Sequence, residues 1–123
     1  MKESVAVEWI AALRSGDHKQ TTGALRDSAR DDNGEERVAY CCLGVLGHCV
    51  LHLYATPSAG TLTMEMMGEA GIKSELGKPD DLDHSDSNVW IDGNSWCDLT
   101  VANDAGVPFA KIADWIEQNW RRL

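Results

Sequence analysis

Apolar side chains recur three and four positions apart near the start of the chain, where Val5, Trp9, Ala12 and Leu13 share one helical face. Ser4 is placed to cap such a helix and Gly16 to close it in a left-handed conformation. The pattern then changes. Two short segments, Gly23 to Asp27 and Glu36 to Tyr40, flank a very polar stretch over 28–35 whose Asn33-Gly34 is a strong turn signal, so a β-hairpin with an exposed tip is expected. The run from Tyr40 to Tyr54 has apolar or small side chains on nearly every face. It predicts a helix from about Cys41 to Tyr54 that forms the buried centre of the fold and stops ahead of Thr56-Pro57, because the residue before proline is pushed out of helical geometry.

Farther on, Thr63 is positioned to cap a short helix through Met64, Met66 and Met67 that Gly71 ends. The acidic stretch Lys78 to Ser87 has too little apolar content to pack, which predicts a flexible acidic loop over about 78–88. Asn88 to Ile91 and Ser95 to Leu99 flank Asp92-Gly93-Asn94 and read as a second hairpin bearing aromatic side chains. In the last segment Pro108 suits a first helical position. Phe109, Ile112, Ala113, Ile116 and Trp120 form one apolar stripe, and Arg121 and Arg122 fall at the negative helix end. The outline is α-ββ-α-α-ββ-α, an α+β domain with a central buried helix, two β-hairpins and no internal repeat.

Composition narrows the function classes. A chain of 123 residues with 43% hydrophobic content fits a single domain over 1–123 whose core needs neither metal nor disulfide staples. Nothing at the N-terminus resembles a signal peptide and no apolar run reaches bilayer length, so a cytoplasmic location without membrane contact is expected. In that reducing setting the four cysteines are expected as free thiols, and the adjacent Cys41 and Cys42 are poorly placed to bridge each other. Eleven Lys and Arg against twenty Asp and Glu give a net charge of -9. That field disfavours direct nucleic-acid binding and favours a basic protein partner, such as a groove that a nucleic-acid mimic would occupy; solubility is the competing explanation of the acidity.

Several of these residues together carry a resemblance. Trp9, the run Ala12-Leu13-Arg14-Ser15-Gly16, Gln20, Gly23 and Leu25 are followed by Tyr40-Cys41-Cys42-Leu43-Gly44-Val45-Leu46. Asn103-Asp104, Gly106, Phe109, Ile112-Ala113-Asp114 and Ile116-Glu117 complete the pattern. The chain thereby resembles a family of small, mostly uncharacterised phage and prophage proteins. The resemblance spans both ends, departs over about 55–98, and implies a genomic setting in place of a mechanism. Gly47 stands where such proteins often carry another cysteine.

Candidate chemistry lies in three places. Cys42 near a helix start would have its thiolate favoured by the helix dipole, with His84 the histidine nearest the second hairpin in sequence. The competing expectation is that Cys41 and Cys42 are small hydrophobes packed beside Gly44. Cys41, His48 and His52 share a helical face, with Cys49 beside them, so they are the candidate metal ligands, although His84 or Cys97 would have to complete the set; the favoured expectation is no metal, with the histidines at the edge of the core and hydrogen-bonded locally. Asp81, Asp83, Ser85 and Asp92 weakly suggest a calcium loop, but Asp86 stands where glycine is needed. No cofactor is expected.

Asn103-Asp104-Ala105-Gly106 reads as capping and turn chemistry ahead of the last helix. Among five tryptophans, Trp9 and Trp120 fit core stripes, whereas Trp90, Trp96 and Trp115 are candidate contact residues. The leading expectation is a non-enzymatic accessory protein that binds a host protein with a basic surface through Asp31, Asp32, Asp81 and Asp83, with those tryptophans as anchors. The alternatives are a module that sequesters a small nucleotide, using Arg14, Lys19, Arg26 and Arg37 as phosphate contacts, and a Cys42-dependent amidase-like enzyme.

Overall fold

The computed structural model of the protein describes residues 1–54, 59–79 and 88–123. Helix α1 covers Glu3–Arg14 and buries Ala6, Trp9, Ile10 and Leu13; of the expected face, Trp9 and Leu13 reach the core while Val5 and Ala12 are only half-buried, so the buried stripe is rotated toward Ala6 and Ile10. Its start lies one residue ahead of Ser4, because Lys2 is the cap residue and makes no side-chain cap bond. The Lys2 N–H donates to the Ala70 carbonyl at 2.9 Å, so long-range backbone pairing fixes the chain's entry. Gly16 closes the helix at φ 78°.

The first sheet has three strands. Strand β1, Lys19–Gln20, lies parallel to β3, Glu36–Tyr40, and β2, Arg26–Arg30, lies antiparallel to β3 on its other side. Two residues are too few to show an alternation, which is why the sequence pattern contains no sign of β1. The first arm of the hairpin lies three residues later than 23–27 and the tip shrinks to 31–35. Leu25 is instead buried in a connecting segment, where its N–H donates to Ala59 O at 2.7 Å and its carbonyl accepts from Cys41 N–H at 3.2 Å.

The central helix is buried as expected but is neither straight nor as long as 41–54. Helix α2 spans Cys42–Gly44 and continues as a π-helical segment, Val45–Val50. There Leu51 N–H donates five residues back to Leu46 O at 3.0 Å. His52, at φ 55°, then turns the chain out of the helix. Every residue from Cys41 to His48 is buried. Gly44 makes this possible, since a Cβ there would sit 1.7 Å from the Leu25 carbonyl oxygen.

Helix α3, Met64–Ala70, is capped by Thr63, whose hydroxyl accepts from Met66 N–H, and ends at Gly71 with φ 70°. Strands β4, Val89–Ile91, and β5, Asn94–Trp96, form the second hairpin. It is shorter than expected, because Asp98 leaves the strand to cap an additional helix, α4, Leu99–Asp104, through the Val101 N–H at 2.9 Å. Helix α5, Phe109–Asn119, comes next with Pro108 at its cap, and a 3₁₀ turn, Trp120–Arg122, ends the chain. The order α-βββ-α-α-ββ-α-α is an α+β fold around one core, in which Trp9, Leu43, Leu46, Met66, Leu99 and Ile116 are fully buried. Of the expected acidic loop, residues 80–87 lie outside the described residues. No helix among the described residues is long and apolar enough to cross a membrane.

Candidate functional site

The two ends of the central helix hold the chemically interesting side chains, and their surroundings differ. At the N-terminal end, Asn103 reaches in from α4 and its Oδ1 accepts from the Cys42 N–H at 3.1 Å and from Gln20 Nε2 at 2.9 Å. The Asn103 Nδ2 donates to Thr21 O at 2.8 Å, and Gln20 Nε2 also donates to Val107 O at 2.7 Å. Asp104 accepts from Gly23 N–H at 3.0 Å, while the Trp9 indole donates to Cys42 O at 2.9 Å. One amide side chain therefore fastens the β1 region, α2 and α4 together in a buried, fully paired node. Asn103 and Asp104 close α4 and do not cap α5, which corrects the capping expectation, while Gly106, at φ 94°, makes the expected turn.

This node corrects the nucleophile expectation. Cys42 is completely buried and its Sγ donates to the Leu99 carbonyl at 3.6 Å. Burial pushes its thiol well above the ordinary value, with Cys41 adding to the effect. Loss of hydration outweighs the helix-start stabilisation that would favour a thiolate. Cys41 is also buried, caps the helix by accepting the Gly44 N–H at 3.4 Å, and is pushed up mainly by burial. His84 lies outside the described residues.

At the C-terminal end, a half-buried thiol sits among rings. Cys49 Sγ lies 3.6 Å from His18 Nδ1, and Tyr40 packs against His18 edge-on at 5.9 Å and against His48 at 6.0 Å. His48 in turn meets Tyr54 at 5.6 Å. Among the described residues its buried Nδ1 has no hydrogen-bond partner, and burial, with the Arg26 charge second, lowers its pKa. Burial raises the Cys49 thiol despite a hydrogen bond with Tyr40, so this thiol too is held protonated. His18 and Tyr40 are invisible to a sequence reading because they join Cys49 only through the fold. The π-helical turn also rotates the residues after it by roughly one position, about 100°, around the axis relative to a regular helix.

The candidate metal ligands are not brought together by this geometry. Cys41 caps the helix start, His48 is packed between tyrosines and His52 is exposed beyond the helix end, so the three do not share a face. No group of three or more His, Cys, Asp or Glu among the described residues is placed to hold a metal ion. Asp92, from the suggested calcium set, pairs with Lys111 at 2.6 Å, while Asp81, Asp83 and Ser85 lie outside the described residues.

The candidate contact residues separate in the fold. Asp31 is committed to its own turn: its carboxylate accepts from the N–H groups of Asn33 and Glu35, both at 2.9 Å, and from Arg37 at 3.1 Å. The Glu35 N–H, with Arg37 and the Asn33 N–H adding to it, holds its pKa below the usual carboxylate range against a burial penalty. Asp32 is exposed at the tip. Trp90 is 52% exposed, Trp96 is half-buried against the core, and Trp115 is only 6% exposed. Trp115 is thus a core residue and not a surface anchor, because the β4–β5 hairpin covers that flank of α5. A shallow depression of about 250 Å³ lies beside Trp90, lined also by Asp92, Lys111, Asp114 and Gln118.

The proposed phosphate contacts are largely engaged. Arg14 pairs with Asp114 at 2.6 Å and Glu117 at 2.8 Å, Arg26 with Glu36 at 3.3 Å, and Arg37 with Asp31. Lys19 is exposed on β1.

Fold and node define a small α+β domain in which the cysteine-rich segment is scaffold. A family model described as a domain of unknown function, DUF8296, matches residues 1–58, which hold α1, the three-stranded sheet and the central helix but not Asn103. No curated protein and no solved structure matches the chain.

Proposed function

We propose that this is a non-enzymatic phage or prophage accessory protein that acts in the host cytoplasm by binding a host protein with a basic surface and modulating it. The observation that carries this reading is the β2–β3 ribbon. Every residue of β2 is exposed, and within the described residues β2 pairs on one edge only. Beyond Ala39 and Tyr40, which pair with β1, the sheet is only two strands wide, and among the described residues the outer edge of β2 and the tip are unpaired and available to a partner. Asp32 and Glu35 bring carboxylates to the tip, where Asp31 fixes the turn and is itself paired with Arg37, while Glu36 is paired with Arg26. The net charge of -9 supports electrostatic steering toward a basic surface, and Trp90 supplies an exposed aromatic anchor elsewhere on the molecule. The inert setting of Cys42 supports a binding role over cysteine catalysis, and the paired arginines leave the nucleotide reading without a specific observation in its favour.

The test is parallel affinity capture from host cells with the tagged protein and its Asp32→Lys, Asp81→Lys, Asp83→Lys triple variant. A basic host protein that the first retains and the second loses, with affinity falling as salt rises, is the expected result. The same proteins retained by both would contradict the electrostatic mechanism.

A further inference from the structure

Two shallow depressions adjoin between the second hairpin and α5, and one ion pair lines both. The first, of about 250 Å³, is the one beside Trp90, bordered by Asp114 and Gln118. The second, of about 210 Å³, lies beside Trp96 and Asn94. Asp92 and Lys111, paired at 2.6 Å, belong to both. Each depression is smaller than a site for a drug-sized ligand, roughly 300–1,000 Å³, and the two together reach that range.

Two simple periods build this place. Val89 and Ile91 of β4 are buried, so the alternation of a strand turns Trp90 outward, where it is 52% exposed. On α5, Lys111, Asp114 and Gln118 stand three and seven positions apart from the first, on one face of the helix, and all three are exposed. Asp92, at φ 52°, and Gly93, at φ 81°, make the tight turn that brings a carboxylate to Lys111.

The electrostatics narrow the occupant. Every charged side chain lining the two depressions is ion-paired, Asp92 with Lys111 and Asp114 with Arg14 at 2.6 Å, so neither an anion nor a cation meets a net opposite charge. Hydrogen-bonding capacity of both kinds remains. Lys111 has three N–H groups and spends one on Asp92, Asp114 keeps its second oxygen, and the amides of Asn94 and Gln118 both donate and accept. The fitting ligand is therefore neutral, with donors and acceptors around its rim and an apolar face for the indole. A pyranose has that make-up: its hydroxyls donate and accept, and its C–H groups carry the small positive charge that the negative face of an indole attracts. A nucleotide would add a phosphate, which the carboxylates of Asp92 and Asp114 disfavour.

We propose that the two depressions are adjoining subsites for a neutral saccharide, with one pyranose ring stacked on Trp90, the next beside Trp96, and the Asp92–Lys111 pair hydrogen-bonded to hydroxyls of both. The site shares Trp90 with the host-partner reading but none of the carboxylates of the ribbon tip. It is measured with no partner present, so either reading can fail alone.

The test follows the indole N–H resonances of the full chain by NMR. The probes are glucose, galactose and N-acetylglucosamine, each as its methyl glycoside and as its β-linked trisaccharide, with adenosine, inorganic phosphate and arginine for comparison. At least one methyl glycoside should shift the Trp90 resonance saturably, and its trisaccharide should bind more tightly and shift Trp96 as well. Trp90→Ala should weaken binding about tenfold with an unchanged melting midpoint, and Trp90→Phe, which keeps an aromatic face, should weaken it less. The absence of a saturable shift with every saccharide, equal affinity for one ring and three, tighter binding of adenosine, phosphate or arginine, or full affinity in Trp90→Ala would overturn the proposal.

Discussion

Cys42 and Cys49 lie seven residues apart on one continuous helical segment, yet their surroundings have little in common. Around Cys42 the backbone is α-helical, glycine-tight and fully hydrogen-bonded through Asn103, and no water-exposed path is needed to satisfy any polar group. Around Cys49 the backbone is π-helical, the thiol is half-buried, His48 has a buried nitrogen with no partner among the described residues and His52 holds a left-handed conformation. Non-glycine residues rarely adopt that conformation without cost. The N-terminal end is thus the rigid joint of the molecule and the C-terminal end its more permissive one. A cysteine motif can look like chemistry and still be joinery.

Substitutions at the two ends should reveal that asymmetry. The largest effect is expected for Gly44→Ala, since the added carbon falls within bonding distance of the Leu25 backbone and neither segment can yield without breaking the Cys41 N–H to Leu25 O bond. Urea unfolding should show a loss of about 3 kcal/mol or failure to fold. Gly47→Ala makes the matched comparison, because its new carbon meets the flexible end of the Met66 side chain and should cost visibly less. Equal losses at the two glycines would remove the distinction.

Next in size is Asn103→Ala, which strips the acceptor from Cys42 N–H and Gln20 and the donor from Thr21 O in a buried setting. A loss of about 2 kcal/mol is expected by the same measurement. A near-neutral result would mean that the node is not the joint described here.

The smallest effect concerns pH and the permissive end. Burial lowers the His48 pKa in the folded protein, so the unfolded chain takes up a proton that the folded chain refuses. His48 therefore contributes stability that is present above the ordinary histidine value near 6.5 and is lost as pH falls below it toward the folded value. His48→Phe should flatten that part of the pH profile relative to the wild type. Unchanged curvature would show that His48 is more accessible than its packing between Tyr40 and Tyr54 implies.

How much of this is legible in the sequence depends on how local each cause is. The helices α1 and α5, the Thr63 cap, the Gly71 stop and the burial of the central run arise from spacing within a few residues and are in the structure, although Val5, Ala12 and Trp120 of the expected stripes are only half-buried. Strand β1 and helix α4 are too short to carry a period. The π-helical turn arises from packing, and no residue pattern announces it. Asn103 reads as turn chemistry because its partners Cys42 and Gln20 lie 61 and 83 positions away. Trp115 sits one step off the α5 stripe, and its burial in the core depends on elements far from it in sequence. Likewise Cys49, His18 and Tyr40 converge through the sheet, so nothing in their sequence positions marks them as neighbours.

Alkylation of the native protein at neutral pH, with each cysteine's rate read by mass spectrometry, tests most directly whether the cysteine-rich helix is scaffold. The order expected is Cys97 fastest, then half-buried Cys49, with Cys41 and Cys42 modified only as fast as the protein unfolds. Rapid labelling of Cys42 in the folded protein, at a rate matching or exceeding that of exposed Cys97, would contradict the account.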